Sequence, residues 1–210
     1  MSSVHTSQWH SVEQWGPTLF LVGGGLLVGH AAMLAVQAFS TLTTPPDVFG
    51  PLGHLVALTG LFGLYPMLAN RTTTVARIAG SLAIVGVGTW TVLTVTRFLA
   101  VAGFVTSVSD VLPGAVFMLA FVSTILTYAM FGIATLCVVS DSRLVGTLLL
   151  APAVLLVVAL VTSAVTGVTA VVGVLIGGGL ALSMVVLGQT LRTWNRLATP
   201  VVPTSDVSVR

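Results

Sequence analysis

A group of polar and ionisable side chains interrupts otherwise apolar stretches of this sequence, and it is the part of the chain best suited to chemistry. The group consists of His30, Gln37, His54, Trp90, Thr94, Arg97 and Asp110. Burying such a side chain in hydrocarbon costs several kcal/mol unless it is hydrogen-bonded or paired. Trp90, Thr94 and Arg97 also share one helical face, because residues three and four positions apart lie above one another. The spacing therefore predicts a polar pocket within a helical bundle.

Arg97 has two interpretations, which depend on where its helix ends. If the helix ends near Arg97, the residue marks a membrane interface and its long stem carries the guanidinium to water. If the helix continues through the apolar run 98–105, Arg97 lies within the bilayer and needs a partner such as Asp110. An ion pair of that kind would serve either structure or a substrate.

His30 and His54 raise the alternative of a b-type haem, because histidines on adjacent antiparallel helices can ligate the iron between them. Their predicted depths differ by about 7 Å at 1.5 Å per residue, which speaks against this geometry. The competing interpretation is that each histidine is hydrogen-bonded to a backbone carbonyl or a hydroxyl. No cofactor is therefore expected unless haem b binds this pair.

Other catalytic and metal-binding patterns are missing from the sequence. There is no Gly-x-Ser-x-Gly, no His-Glu-x-x-His and no carboxylate within an apolar span, which argues against a hydrolase. His5 and His10 lie five positions apart without a cysteine or second acidic residue nearby, so no metal site is predicted. The sequence gives no catalytic residue and leans away from an enzyme.

Small residues four positions apart form a second pattern, which concerns helix packing. These residues are Gly25 and Gly29 in the first apolar span, and Gly173, Gly177 and Ala181 in the last. Such spacing lets another helix backbone approach closely. The partner is predicted to be a helix of the same chain, with a homodimer or another membrane protein as the alternative.

Composition identifies the solvent around these residues as lipid. Of the 210 residues, 56% are hydrophobic and 6% are charged, whereas an ordinary soluble domain has about 25% charged residues. A net charge of +2 with scattered arginines gives no basic patch for nucleic acid. The chain is predicted to be an all-α, multi-pass integral membrane protein without a soluble domain.

Hydrophobic stretches divide residues 17–191 into a bundle of six predicted transmembrane helices, since each crossing takes about 20 residues. The spans are predicted at 17–39, 51–69, 77–100, 113–139, 144–162 and 169–191. Pro17 is expected to start the first helix after a polar segment, 1–16. A tight hairpin is expected between Thr162 and Thr169, and the tail 192–210 is expected to be disordered.

Orientation follows from the arginines, because cytoplasmic loops carry the excess of positive charge. With six crossings both termini lie on one side. That side has Arg71, Arg77, Arg143, Arg192, Arg196 and Arg210, and only Arg97 lies on the other. The pattern predicts both termini in the cytoplasm, a cytoplasmic-membrane location and an outward-facing polar pocket.

Three classes of function fit this pattern. The first is a small permease-like or channel-like protein that passes or senses an unidentified small solute through the polar pocket. The second is a structural or accessory subunit of a membrane complex that uses its glycine faces. The third is an electron-transfer protein with haem b at His30 and His54.

Overall fold

The computed structural model describes residues 4–41, 45–138, 143–166 and 170–198, and every regular element in these ranges is an α-helix. In chain order the helices are α1 (Val4–Phe39), α2 (Phe49–Leu61), α3 (Tyr65–Ala69), α4 (Thr73–Val101), α5 (Val108–Val111), α6 (Gly114–Val138), α7 (Arg143–Thr166) and α8 (Ala170–Ala198). Five of these, α1, α4, α6, α7 and α8, are long and apolar enough to cross a membrane. The chain is therefore an all-helical membrane protein.

The range predicted as the second span, 51–69, forms two helices instead of one. α2 has 13 residues and α3 has 5. Between them the N–H groups of Phe62, Gly63 and Leu64 donate to carbonyls three residues earlier, which tightens the turn. Pro66 has no N–H for the carbonyl of Phe62 and suits the first turn of a new helix. A sixth crossing requires α2 and α3 to span the membrane together.

The first helix begins earlier than expected. α1 starts at Val4, so Pro17 lies inside it and does not open it. Proline removes one helical hydrogen bond, a loss that packing against a neighbouring helix can accommodate in a membrane. Gly188 of α8 provides that close packing, because a Cβ added there would lie 2.9 Å from the carbonyl oxygen of Pro17.

The last two helices also extend beyond their predicted ends. α7 continues to Thr166, past Thr162, where the hairpin was expected to begin. Residues 167–169, which belong to the expected hairpin, lie outside the described ranges. The hydroxyls of Thr162 and Ser163 donate to carbonyls of their own helix, so neither residue has to leave it. α8 continues to Ala198, so residues 192–198 of the expected disordered tail are helical. Residues 199–210 of that tail are not described.

The long helices and α2 pack as a closed ring that follows the order of the chain. α1 contacts α2, α2 contacts α4, α4 contacts α6, α6 contacts α7, α7 contacts α8, and α8 returns to α1. α3 packs against α4 and α6. We call the end at which α1, α4 and α7 terminate the upper end, and the end at which α1 begins and α8 terminates the lower end.

Glycines permit the closest helix contacts in this ring. A Cβ at Gly23 would lie 2.9 Å from the backbone nitrogen of Ala57, where α1 crosses α2. A Cβ at Gly24 would lie 3.0 Å from the backbone nitrogen of Val185, where α1 crosses α8. Gly132 of α6 and Gly146 of α7 face each other in the same way, at 3.1 and 3.2 Å from the opposite carbonyl oxygen. These contacts leave no room for a side chain.

The glycines singled out by spacing have looser surroundings. Added Cβ atoms at Gly29, Gly173 and Gly177 would meet neighbouring helices or their side chains at 3.3 to 3.5 Å. Ala181 is buried, and its carbonyl oxygen faces Gly24. Gly25 differs, because an added Cβ would meet nothing within 4 Å. The tight contacts of α1 within this chain are thus made by Gly23 and Gly24, the two residues before Gly25.

Candidate functional site

A cavity of about 260 Å³ occupies the upper half of the ring, and we call it the upper cavity. Its wall includes residues from all six ring helices, namely His30 and Leu34 (α1), Gly50, Pro51 and His54 (α2), Trp90, Leu93 and Arg97 (α4), Phe117 and Phe121 (α6), Leu156, Ala159, Thr162 and Ser163 (α7), and Val172, Gly173, Ile176, Gly177 and Leu180 (α8), together with Asp47 of the loop before α2. The wall is mainly apolar with a few polar groups, as in typical small-molecule sites.

Two polar atoms of this wall are buried without a hydrogen-bond partner. They are Nε of Arg97 and Nδ1 of His54. His54 as a whole is 5% exposed, so water has little access to it. Buried polar groups are normally paired, and each exception needs an explanation. Both exceptions border the same cavity, which makes it the strongest candidate for a binding site in the described part of the chain.

Trp90 fixes the position of His54. The two rings are stacked, with centroids 4.5 Å apart and an angle of 21° between their planes. The indole Nε1–H donates to the hydroxyl of Thr124 on α6 at 2.7 Å, and the ring meets Phe121 edge-on at 5.6 Å. Because a hydrogen bond and two aromatic contacts hold the indole, it forms a rigid side of the cavity.

His30 and Asp47 are in hydrogen-bond contact at the upper rim of the cavity. Nδ1 of His30 lies 2.5 Å from Oδ2 of Asp47. The other carboxylate oxygen, Oδ1, accepts hydrogen bonds from the backbone N–H groups of Phe49 and Gly50 at the start of α2. Partial burial raises the pKa of Asp47, but His30 and the two N–H groups outweigh it, and the pKa is lowered from its ordinary value of 3.8. The loop before α2 is thereby tied to α1.

The structure brings together four of the seven residues proposed for the pocket, namely His30, His54, Trp90 and Arg97. Thr94 is buried and donates its hydroxyl to the carbonyl of Trp90 within α4. Gln37 and Asp110 are exposed and do not line the cavity, and Asp110 accepts from the hydroxyl of Thr106. α4 continues to Val101, past Arg97, without an Arg97–Asp110 ion pair among the described residues.

Asp47 is the site residue that the sequence interpretation missed. A signal for it exists, since an acidic residue after two prolines and just before a helix often accepts hydrogen bonds from the first N–H groups of that helix. Phe117, Phe121, Thr162 and Ser163 were also not anticipated. Phe117 and Phe121 lie in a segment so uniformly apolar that periodicity does not separate its inner face from the lipid face. Thr162 and Ser163 were instead assigned to the expected hairpin, outside the helices.

A haem between His30 and His54 does not fit this geometry. The cavity volume of about 260 Å³ lies below the range of about 300 to 1,000 Å³ typical for drug-sized ligands, and a haem is larger than most of these. His54 is also stacked on Trp90, so one face of its ring is covered. No group of three or more potential metal-ligating side chains occurs within the described ranges.

A second cavity, the lower cavity, lies at the other end of the ring and has a volume of about 250 Å³. Its wall consists of Gly16, Pro17, Gly63, Leu64, Met67, Thr135, Val145, Leu191 and Trp194. Leu58, Tyr128 and Met184 lie between the two sets of lining residues along α2, α6 and α8 and are fully buried. We call these three residues the central layer. Tyr128 donates its hydroxyl to the sulfur of Met184 at 3.6 Å.

Comparison with protein families, characterised proteins and solved structures gives no match for this chain. Its function must therefore be argued from its own residues.

Proposed function

We propose that this protein is a small permease-like membrane protein that binds a small solute in the upper cavity. The observation that carries the proposal is the pair of buried, unpartnered atoms, Arg97 Nε and His54 Nδ1, which belong to residues that line one cavity. Leaving two such groups unsatisfied costs free energy, and a bound solute with matching polar atoms would recover it. The lower cavity lies on the other side of the central layer. Its presence supports the proposal that a solute passes from one end of the ring to the other.

The proposal includes six crossings with both termini in the cytoplasm. Support comes from the wall of the upper cavity, which uses the C-terminal halves of α1, α4 and α7 and the N-terminal halves of α2, α6 and α8. Helices can meet in this way only if the chain reverses direction after each of them. α2 and α3 would then cross the membrane together as an interrupted helix, of the kind that often lines transporter binding sites.

A filling experiment tests the binding site. Ala159 and Val145 lie on the same helix, α7, and line the upper and the lower cavity respectively. Small solutes of varied charge are screened for their ability to raise the unfolding temperature of the detergent-purified protein. Any solute that stabilises the wild type should lose at least about tenfold in affinity with Ala159→Phe, because the added ring takes up its space, and should bind Val145→Phe unchanged. Equal binding to both variants would contradict the site.

A labelling experiment tests the topology. Cys137 is replaced by Ser, and single cysteines are introduced at Ser109 near the upper end or at Thr74 near the lower end, both of which are exposed. A membrane-impermeant maleimide added to intact cells should label the first position and not the second. Labelling of Thr74→Cys alone would reverse the orientation, and labelling of both positions from outside would contradict six crossings.

A further inference from the structure

The charge of Arg97 indicates which class of solute the upper cavity would bind. A guanidinium is protonated at every physiological pH and carries five N–H donors but no acceptor. Its Nε is buried without a hydrogen-bond partner. The residue as a whole is partly buried, and a cation partly removed from water is stabilised by an anion that pairs with it.

The carboxylates at the upper end are already used elsewhere. Both oxygens of Asp47 are occupied, one by His30 and the other by the N–H groups that open α2. Asp110 is exposed and accepts from Thr106. Neither forms an ion pair with Arg97, and no other carboxylate whose side chain the structure describes lies at this end. An anion that pairs with Arg97 would therefore have to come from outside the described chain.

The rest of the wall sets the shape and polarity of that anion. His54 offers a second buried polar atom, and in the tautomer that carries its proton on Nδ1 it can donate to a bound anion. The remaining wall is largely hydrocarbon, and Leu93, Phe117 and Leu156 belong to it. A carboxylate presents two oxygens to two donors, and an apolar body suits the hydrocarbon.

We propose that the upper cavity selects a small organic monoanion, a carboxylate carried on an apolar body that fits within about 260 Å³. The inference rests on the proposed function and specifies its solute. Because one cation on the wall, Arg97, has no partner for its Nε, we expect the solute to carry one negative charge. A strongly hydrated inorganic anion would lose its water against the apolar wall without compensation. A dicarboxylate would bring a second negative charge that has no partner in the cavity.

Benzoate, benzamide and benzylammonium test the charge at constant shape. Each is titrated into the detergent-purified full-length protein, and the dissociation constant is measured by calorimetry together with the shift in unfolding temperature. Benzoate should bind at least about tenfold more tightly than benzamide, because a hydrogen bond between charged groups contributes that factor. Benzylammonium should not bind.

Three arginine variants assign the effect to a residue. Arg97→Gln should weaken benzoate binding at least about tenfold and remove the preference over benzamide, whereas Arg97→Lys should retain the preference. Arg77→Gln removes an equivalent charge from an exposed position at the lower end and should bind benzoate like the wild type. If Arg97→Gln does not fold, the order of the wild type's affinities for the three ligands still tests the anion class.

The outcomes separate this inference from the proposed function. Binding of benzamide or benzylammonium with equal or higher affinity than benzoate would overturn the anion class but leave a solute site in the upper cavity. Benzoate binding that Arg97→Gln leaves unchanged would overturn the assignment to Arg97. Failure of all three ligands to bind would overturn the inference, and if the wider solute screen also fails, it would overturn the proposed function.

Discussion

The upper and lower cavities have nearly the same volume, about 260 and about 250 Å³, but their walls differ in chemistry. The upper wall includes Arg97, Asp47 and two histidines. The lower wall, as far as its residues are described, has no charged side chain, and its hydroxyl at Thr135 is already bonded to the carbonyl of Phe131. Volume alone therefore does not mark a binding site in this bundle. The distinguishing feature is the presence of buried polar groups that the protein itself leaves unsatisfied.

The difference between the two walls also indicates which cavity offers more interactions to a polar solute. A polar solute gains interactions in the upper cavity that the lower cavity does not offer. In the proposed permease the lower cavity would suit release, because its hydroxyl is already satisfied and a departing anion would find no charged partner among its described residues. In the proposed permease the central layer between the two cavities would be the barrier.

Removing the barrier should have the largest effect. Tyr128 is fully buried, and Tyr128→Ala should lower the free energy of unfolding by about 3 to 5 kcal/mol, as for other large aromatic truncations in packed cores. Proteoliposomes containing this variant should leak benzoate, because the two cavities become continuous. Tyr128→Phe loses only the hydrogen bond to Met184 and should cost about 1 kcal/mol without leakage. A tight, stable Tyr128→Ala variant would show that the barrier lies elsewhere.

The crossing of α1 and α2 between the cavities should be the next most sensitive point. Gly23→Leu places a side chain where a Cβ would lie 2.9 Å from backbone, whereas Gly25→Leu, two residues on, points into open space. The first variant should lose about 1 to 3 kcal/mol of stability from overpacking, and the second should not be destabilised. Thermal unfolding in detergent compares them. Loss of stability in Gly25→Leu instead would indicate a partner on that face of α1.

The upper rim should make the protein sensitive to acid. Because the pKa of Asp47 is lowered on folding, its ionised form stabilises the protein fully above the ordinary pKa of 3.8, and this contribution is lost as the pH falls through the lower folded value. Asp47→Asn should therefore cost of the order of 1 kcal/mol at pH 7 and much less near pH 2. Asp110→Asn, at the same end but exposed, is the control and should change little at either pH. A pH-independent difference would contradict the role of the ionised carboxylate.

The smallest effect on stability is expected from the tryptophans, one in each cavity wall. Trp90→Phe loses one hydrogen bond to Thr124, which still donates to the carbonyl of Ala120, so about 1 kcal/mol or less is at stake. A nitrobenzoate added to the wild type should quench tryptophan fluorescence. The quenching should be largely lost in Trp90→Phe and kept in Trp194→Phe, which alters the lower cavity. The reverse pattern would move the binding site to the lower end.

The long helices could be predicted from the sequence because hydrocarbon tolerates few charges, so each span is a continuous apolar run. The break between α2 and α3 was harder to predict, since Gly63 and Pro66 lie within a segment whose hydrophobicity does not change. The four pocket residues were found because polar side chains stand out in such runs. The inner faces of α7 and α8 could not be found in this way, because lipid and protein interior select the same apolar residues on both sides of a helix.

Asp47 shows a second limit of prediction from sequence. Its type and position in a proline-containing loop suggested only a connection between spans. Its contact with His30 depends on how far α1 extends and on the angle at which α2 returns, and neither is encoded locally. Long-range pairings of this kind need the packed structure.

The closed ring has a consequence for how the protein assembles. Each contact except one joins helices that follow each other in the chain, so they can form in sequence as the spans leave the insertion machinery. The exception is the extensive contact between α1 and α8, which cannot form until α8 has been synthesised. Since α8 supplies one side of the upper cavity, the wall of that cavity is incomplete until α8 has packed against α1. The proposed binding of a solute therefore requires α8 to be in place.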